Sequence, residues 1–345
     1  METKLLMNKL KCPLYQLICM SALFWIGCSS SKKESPTIET VILKEQRIPS
    51  TSLLNVRNFV VKDPYILSVN SREDSIFIVL DKQTGEVVSS WGRRGNGPGE
   101  YGLFTHIIDG FEKRAIAADF SKLKTRDLVI PEFELISESN ITNDRYEPQV
   151  SEIPQKIVYG GDSIFFYDKY MMHEIKLTRW KNHSEPIEIY HFDDLQNEFP
   201  GRSDQMFGGR IAVNPGNKRI IYAHRFLNRF IILDYDGQLI AKKDDQLDVE
   251  KLVFSDEENL DFSQSPMYYL QARSVNDSFF LLKTGIGRDS GDFNYIEEYD
   301  MEGNLTGLFI IGDNVTDFDV LSDSNGGVTF IGLDQGSEQP FLLLD

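Results

Sequence analysis

Cysteine is almost missing from this chain. There are three in 345 residues, and Cys12, Cys19 and Cys28 all fall near the start. A disulfide framework is therefore excluded for everything that follows them. Histidine is scarce too, with only His106, His173, His183, His191 and His224. Neither H-E-x-x-H nor a Cys/His zinc spacing occurs, and His183 and His191, on either side of Pro186, read as strand and turn positions. No apolar run is long enough for a comfortable membrane span; Cys12 to Ile26 comes nearest. Positive charge is in deficit, with 36 Lys and Arg against 53 Asp and Glu, giving a net charge of −17. An acidic surface disfavours nucleic acid and anionic lipid as partners.

The motifs of common catalytic classes are missing as well. No Lys-Ser or Lys-Thr follows a glycine-rich stretch, G-x-G-x-x-G does not occur, and neither does G-x-S-x-G. Gly161-Asp162-Ser163 and Asp289-Ser290-Gly291 lack the partner patterns of hydrolases and read as turns. Asp234-Tyr235-Asp236-Gly237 and Asp323-Ser324-Asn325-Gly326-Gly327 touch the calcium-loop pattern. Both lack its later Glu and read as hairpin turns. The sialidase-type Asp-box is absent. The sequence thus assigns no catalytic residue, no metal ligand and no cofactor.

What is present begins with a targeting segment. Lys4, Lys9 and Lys11 precede the apolar stretch Cys12–Ile26, and Gly27-Cys28 is followed by Ser29-Ser30-Ser31-Lys32-Lys33. A basic start, a short apolar core and a small residue before a cysteine resemble a bacterial lipoprotein signal, with Cys28 as the lipidated residue. Trp25 stands where that family's lipobox usually has Leu. Met7 offers an alternative start. Residues 1–27 are read as signal peptide, 28–36 as polar tether and 37–345 as the folded domain. Removing the leader, net +2, leaves the remainder at about −19. Ser29 is not an acidic retention residue, which by resemblance favours the outer membrane.

From Thr37 onward, short apolar runs alternate with turns. Ser75–Leu80, the turn Asp81–Gly85 and Glu86–Trp91 form a hairpin. Similar units surround Asp234-Tyr235-Asp236-Gly237 and Asp300-Met301-Glu302-Gly303. Gly85 and Gly237 lie 152 residues apart, and Gly237 and Gly303 lie 66 apart. Three blades in the first gap give a period of about 50, within the range of propeller repeats. One such unit cannot bury both its faces, whereas a ring of them can. The predicted fold is an all-β, six-bladed propeller. A terminal strand pairing with Thr37–Leu43 is expected to close the ring. Residues 193–210 lack alternation and read as an inserted loop, and 244–260 is charged enough for a short helix.

Between the first hairpin and the next strand lies Trp91-Gly92-Arg93-Arg94-Gly95-Asn96-Gly97-Pro98-Gly99-Glu100-Tyr101. Its glycines and proline exclude helix or paired strand. It reads as a shaped crossing from one blade to the next, and Arg93 and Arg94 are its candidate anion-binding residues. This loop after an Asp-x-x-x-Gly hairpin, together with Lys218–Tyr222 and Phe230–Gly237, resembles the TolB-like six-bladed propeller lipoproteins of Bacteroidetes-type bacteria. The resemblance implies a propeller and an envelope location, and supplies no substrate or catalytic residue. Three functions follow as expectations. The first is a membrane-anchored module binding an envelope protein, peptide or glycan on a propeller face. The second is a glycan lyase or hydrolase at the channel mouth, which requires Arg, His, Tyr and acidic groups gathered there. The third is a structural envelope component.

Overall fold

The computed structural model describes residues 38–345, except 39, 50–54, 71–74, 98, 111–112, 123, 131–134, 141–155, 163, 172–173, 182–185, 199–203, 245–250, 256–259 and 285–292. The chain forms six sheets in sequence order around an axis. Blade one holds β3 (Val56–Lys62), β4 (Tyr65–Asn70), β5 (Phe77–Asp81) and β6 (Val87–Trp91). Blade two holds β7 (Thr105–Asp109), β8 (Arg114–Asp119), β9 (Lys124–Val129) and β10 (Leu135–Asn140). Blade three holds β11 (Ile157–Gly161), β12 (Ile164–Met171), β13 (Glu174–Lys181) and β14 (Ile187–His191). Blade four holds β15 (Gly209–Asn214), β16 (Arg219–His224), β17 (Arg229–Asp234) and β18 (Leu239–Asp244). Blade five holds β19 (Tyr269–Val275), β20 (Ser278–Thr284), β21 (Phe293–Asp300) and β22 (Leu305–Gly312). Blade six holds β23 (Asp317–Ser322), β24 (Val328–Leu333) and β25 (Phe341–Leu344).

The core is six cores, one between each pair of neighbouring blades. Alternation within a strand creates this arrangement, because successive side chains point to opposite faces. In β5, Phe77 and Val79 face blade two, whereas Ile78 and Leu80 face blade six with Ile331 and Phe341. In blade four, Ile231 and Leu233 join Phe166 and Leu177 of blade three, and Phe230 and Ile232 join Tyr269 and Leu281 of blade five. Strands buried on both faces become continuous apolar runs, which is why Phe77-Ile78-Val79-Leu80 and Phe230-Ile231-Ile232-Leu233 are so apolar.

The N-terminal strands differ from expectation. Blade six is completed by β2 (Glu45–Arg47), which runs antiparallel to β25 with Glu45 opposite Leu344. The preceding β1 (Thr40–Ile42) instead lies parallel to β22 on the outside of blade five. The expected strand within Thr37–Leu43 therefore exists, but the ring is closed a few residues later. Arg47 fastens the closure: its Nη2 lies 2.8 Å from Asp334 and its Nη1 donates to Gln339 O at 2.9 Å. The connection from blade three to blade four is not an open loop either. It contains a helix, α1 (Asp193–Glu198), and a 3-10 turn at Asp204–Phe207, and it buries Leu195, Met206 and Phe207.

The repeated Asp…Gly turn joins the third and fourth strands in blades one, four and five. Its Asp side chain satisfies the turn's own backbone. Asp81 Oδ1 accepts from Gln83 and Thr84, Asp234 Oδ1 from Asp236 and Gln238, and Asp300 Oδ1 from Glu302 and Asn304, all at 2.8–3.0 Å. The Gly N–H closes each turn on the Asp carbonyl. Backbone donation from Thr84 and Gln83 holds the Asp81 carboxyl below its ordinary pKa. Asp323, in the β23–β24 turn, uses its carboxylate in the same way, accepting from Asn325 and Gly327. These carboxylates are engaged as turn caps. Among the described residues, no three His, Cys, Asp or Glu side chains are grouped to hold a metal.

Candidate functional site

The glycine-rich loop is where the sequence placed its candidate anion-binding residues, and most of its chemistry is directed inward. Gly95 N–H donates to Tyr101 O at 3.0 Å and Tyr101 N–H to Arg93 O at 2.8 Å, so the loop folds back on itself. Glu100 enters its hollow and accepts from Gly97 N–H at 2.7 Å. A Cβ on Gly95 would lie 2.0 Å from the Glu100 carboxylate, so a larger residue there would displace Glu100 from the hollow. Tyr101 is fully buried, edge-on to Phe77 and Trp91, and the Arg126 guanidinium of blade two covers its ring at 4.5 Å. The loop therefore staples blade one to blade two. Arg93 is exposed on its outside. Arg94 is half-buried, donates to Asn70 O at 3.2 Å, and has its pKa lowered by burial and by Arg57.

Arg57 leads to the central channel. The inner strands β3, β7, β11, β15, β19 and β23 surround a cavity of about 1020 Å³. Its walls are tied across blade boundaries by polar side chains. Asn58 Nδ2 donates to Ile107 O at 2.7 Å, and Asn214 Nδ2 to Asn276 O at 2.6 Å. Asp319 Oδ2 accepts from Val61 N–H at 2.6 Å. Arg273 bridges Asp319 at 3.1 Å and Asp317 at 3.2 Å, and Gln271 donates to Asp317 at 2.7 Å. Burial raises the Asp319 pKa although Arg273 opposes it. Lys62 and Asp109 form a further ion pair. Asp109, Asp317 and Asp319 of the channel wall are thus matched by cations.

At one end this matching stops. Arg57 on β3, His106 on β7, Lys156 immediately before β11 and Arg210 on β15 occupy the starts of four consecutive inner strands. Blades five and six carry Leu270 and Phe318 in the corresponding place. The four basic residues feel one another. Burial first, then Lys156, Arg57 and Arg210, lower the His106 pKa to about 4. Burial, then Arg210 and Arg273, bring Lys156 down to about 7, with Asp317 and Asp168 working the other way. Among the described residues, neither Arg57, Lys156 nor Arg210 has a carboxylate ion pair. Arg57 Nη1 donates to Leu103 O at 2.8 Å and Arg210 Nε to Leu270 O at 2.5 Å, both backbone carbonyls. Leu103 and Phe104 are exposed next to Arg57.

Sequence reasoning did not single out this group. The signal was nevertheless present: the four residues are separated by 49, 50 and 54 positions, which is the blade period. Of the residues it did single out, Arg94 lies within the electrostatic reach of Arg57, and Arg93 sits on the outer face of the loop. Cys28, His173 and His183 lie outside the described residues.

The last described histidine, His224, is fully enclosed between blades three and four, its Nδ1 at 2.8 Å from Phe207 O. Burial, reinforced by Arg229, lowers its pKa to about 3. Both His106 and His224 are therefore neutral in the fold at pH values where the unfolded chain, titrating near 6.5, takes up protons. Depressed folded-state values make stability full above pH 6.5 and cause it to fall on acidification toward pH 4. The expected loss approaches about 1.4 kcal/mol per pH unit for each histidine in that window. Replacing His224 by Leu should flatten the slope of urea-unfolding stability between pH 6.5 and 5; an unchanged slope would refute the assignment.

No protein-family model matches the sequence, and no curated protein does. Solved structures match the fold. A member of the duf4221 family from Bacteroides vulgatus aligns with a TM-score of 0.59 at 10% identity, covering 90% of this chain and 98% of that one. The WD40 repeats of RRP9 align with a TM-score of 0.51 at 10% identity, covering 89% and 99%. A calcium-binding protein, regucalcin, from Agrobacterium tumefaciens aligns with a TM-score of 0.50 at 8% identity, covering 89% and 95%. At these identities the likeness extends to the propeller fold.

Proposed function

We propose that this chain is a lipid-anchored envelope protein, of the TolB-like kind its sequence resembles, that acts as a binding module. Its ligand is held at the cationic end of the propeller channel. The observation that carries this reading is the row of Arg57, His106, Lys156 and Arg210 at the starts of four consecutive inner strands, of which Lys156 lines the channel cavity and none of Arg57, Lys156 and Arg210 forms an ion pair among the described residues. Anchoring rests on the signal ending at Cys28 and favours the outer membrane. In-cell crosslinking of the full chain, with Cys28→Ala and Arg210→Gln as comparisons, tests both parts. A defined envelope peptide, protein or glycan should be captured by the wild type, lost with Arg210→Gln, and depleted from the membrane fraction with Cys28→Ala. Capture that ignores Arg210→Gln would place binding elsewhere on the propeller.

A second reading is favoured by the same cluster. A glycan lyase or hydrolase needs a proton acceptor beside cations, and a neutral His106 next to Lys156, whose pKa lies near 7, supplies the residue types. Turnover of an acidic oligosaccharide that vanishes in His106→Gln would support it over simple binding.

A further inference from the structure

The channel has a second end, where the turns that follow the inner strands form a rim. Asp162 comes directly after β11, Lys218 lies between β15 and β16, and Asn276 comes directly after β19. These three share a backbone conformation, with φ at +48°, +52° and +50°, and no other non-glycine residue among the described ones has a positive φ. All three line the channel cavity. The left-handed region is costly for an L-residue, and Asp or Asn in a turn ordinarily offsets such a cost by bonding its own backbone. The carboxylates of Asp81, Asp234, Asp300 and Asp323 cap their turns in this way. The side chains of Asp162, Lys218 and Asn276 do not. All three are exposed, and among the described residues none of them makes a hydrogen bond or ion pair with the protein.

We infer that this rim and the cavity behind it form a second binding site, which takes an uncharged oligosaccharide. The first argument is charge. Six Lys or Arg and five Asp line the cavity, so the two signs nearly balance. Most are already engaged: Lys62 pairs with Asp109, Arg114 with Asp127, Arg179 with Asp236, and Arg273 with Asp317 and Asp319. Asp277 accepts from Asn217 Nδ2 at 2.6 Å. Such a wall offers polar groups without a field that would select an ion. The second argument is complementarity. A sugar hydroxyl both donates and accepts. At the rim Asp162 accepts, Lys218 donates and Asn276 does both, each from the turn of a successive blade. A string of hydroxyls laid across three blades therefore meets all three side chains. The third argument is the wall itself. Tyr159 on β11 is half-buried in it, its ring backed by Phe165 at 5.1 Å. An aromatic ring gives the apolar C–H face of a sugar a surface to lie on. At about 1020 Å³ the cavity stands at the upper end of the ~300–1,000 Å³ range of small-ligand sites, with room for more than one sugar ring. The site lies at the opposite end of the inner strands from Arg57 and Arg210 and does not depend on the ligand proposed there.

The test is an array of neutral oligosaccharides probed with the full chain, followed by calorimetric titration with the sugar retained best. Saturable binding is expected. Asp162→Gly, Lys218→Gly and Asn276→Gly each remove one side chain and install the residue that adopts positive φ most readily. Each variant should keep or raise the melting temperature of the wild type and weaken sugar binding by about tenfold. Asn325→Ala, in the blade-six turn outside the cavity lining, and Arg210→Gln, at the other end, should leave binding unchanged. If the three residues serve turn geometry alone, the glycine variants will bind as the wild type does. That result overturns the inference, as does the absence of saturable binding to any neutral sugar on the array. Glycylglycine is titrated alongside, because its ammonium matches Asp162 and its carboxylate matches Lys218. Dipeptide binding that is lost in Asp162→Gly and Lys218→Gly, with no sugar bound, would also overturn the inference and assign the rim to a zwitterionic ligand.

Discussion

Gly237→Ala should destabilise the protein on the order of 3–5 kcal/mol, far more than the same substitution at Gly326. The two glycines share a backbone conformation, with φ at +87° and +85°. An alanine there costs about 1–2 kcal/mol in either place, from its Cβ against the adjacent carbonyl. The difference lies in what surrounds them. A Cβ on Gly237 would stand 1.8 Å from Ile189 O, a backbone atom of β14 in the preceding blade, whereas nothing lies within 4 Å of one on Gly326. Ile189 sits at a bulge of β14, the outer strand of its blade, so the turn and β14 must move apart to relieve the overlap. That separation also strains Tyr235, whose hydroxyl donates to Gly160 O at 2.8 Å, and Arg179, which donates to Tyr235 O at 3.0 Å. Gly303 occupies the same turn one blade on and faces the Ala241 Cβ at 3.0 Å. It should fall between the two. Urea unfolding of the three variants ranks them, and equal losses at Gly237 and Gly326 would show that the turn does not serve as the blade contact.

This explains why part of the architecture was legible in the sequence. The Asp…Gly turn is specified by local chemistry: a side chain that caps its own turn and a residue free to adopt positive φ. At Gly237 and Gly303 the glycine also faces the neighbouring blade. The apolar runs were legible because both faces of each central strand are buried. Ring closure was not legible, because β2 contributes Glu45, Gln46 and Arg47, whose side chains are all exposed. Its place is set by backbone pairing with β25 and by Arg47 on Asp334, and neither leaves an apolar pattern. The neighbouring Thr40–Ile42 is more strand-like in composition and drew the assignment, yet it lies on blade five. The cationic cluster was hidden for a different reason. Arg57, His106, Lys156 and Arg210 become neighbours only once the inner strands are placed side by side. In sequence each is a lone basic residue next to a strand, while Arg93 and Arg94 are adjacent and conspicuous. The glycines around that pair accommodate Glu100 and Tyr101.

The segment read as an inserted loop carries the other large effect. Asp194, at the start of α1, should cost about 2–4 kcal/mol when replaced by Ala. Its carboxylate accepts from Arg229 Nη2 at 2.6 Å and from Lys242 Nζ at 3.0 Å. Burial works against the charged form, but those two donors hold Asp194 below its ordinary pKa. The partners are unequal. Lys242 is a third exposed and also reaches Asp244 at 2.7 Å, so water and a second carboxylate remain if Asp194 is lost. Arg229 is 1% exposed, and its Nε has no hydrogen-bond partner. Removing Asp194 therefore leaves a guanidinium enclosed between blades without its counter-charge, which is the expensive half of breaking a buried pair. Lys242→Ala should cost less than about 1 kcal/mol, as exposed pairs do. Adding Arg229→Met to Asp194→Ala should recover much of the loss, because an apolar side chain of similar length needs no partner. Comparable losses for Asp194→Ala and Lys242→Ala, or no recovery in the double variant, would show that the desolvated Arg229 is not the source of the effect.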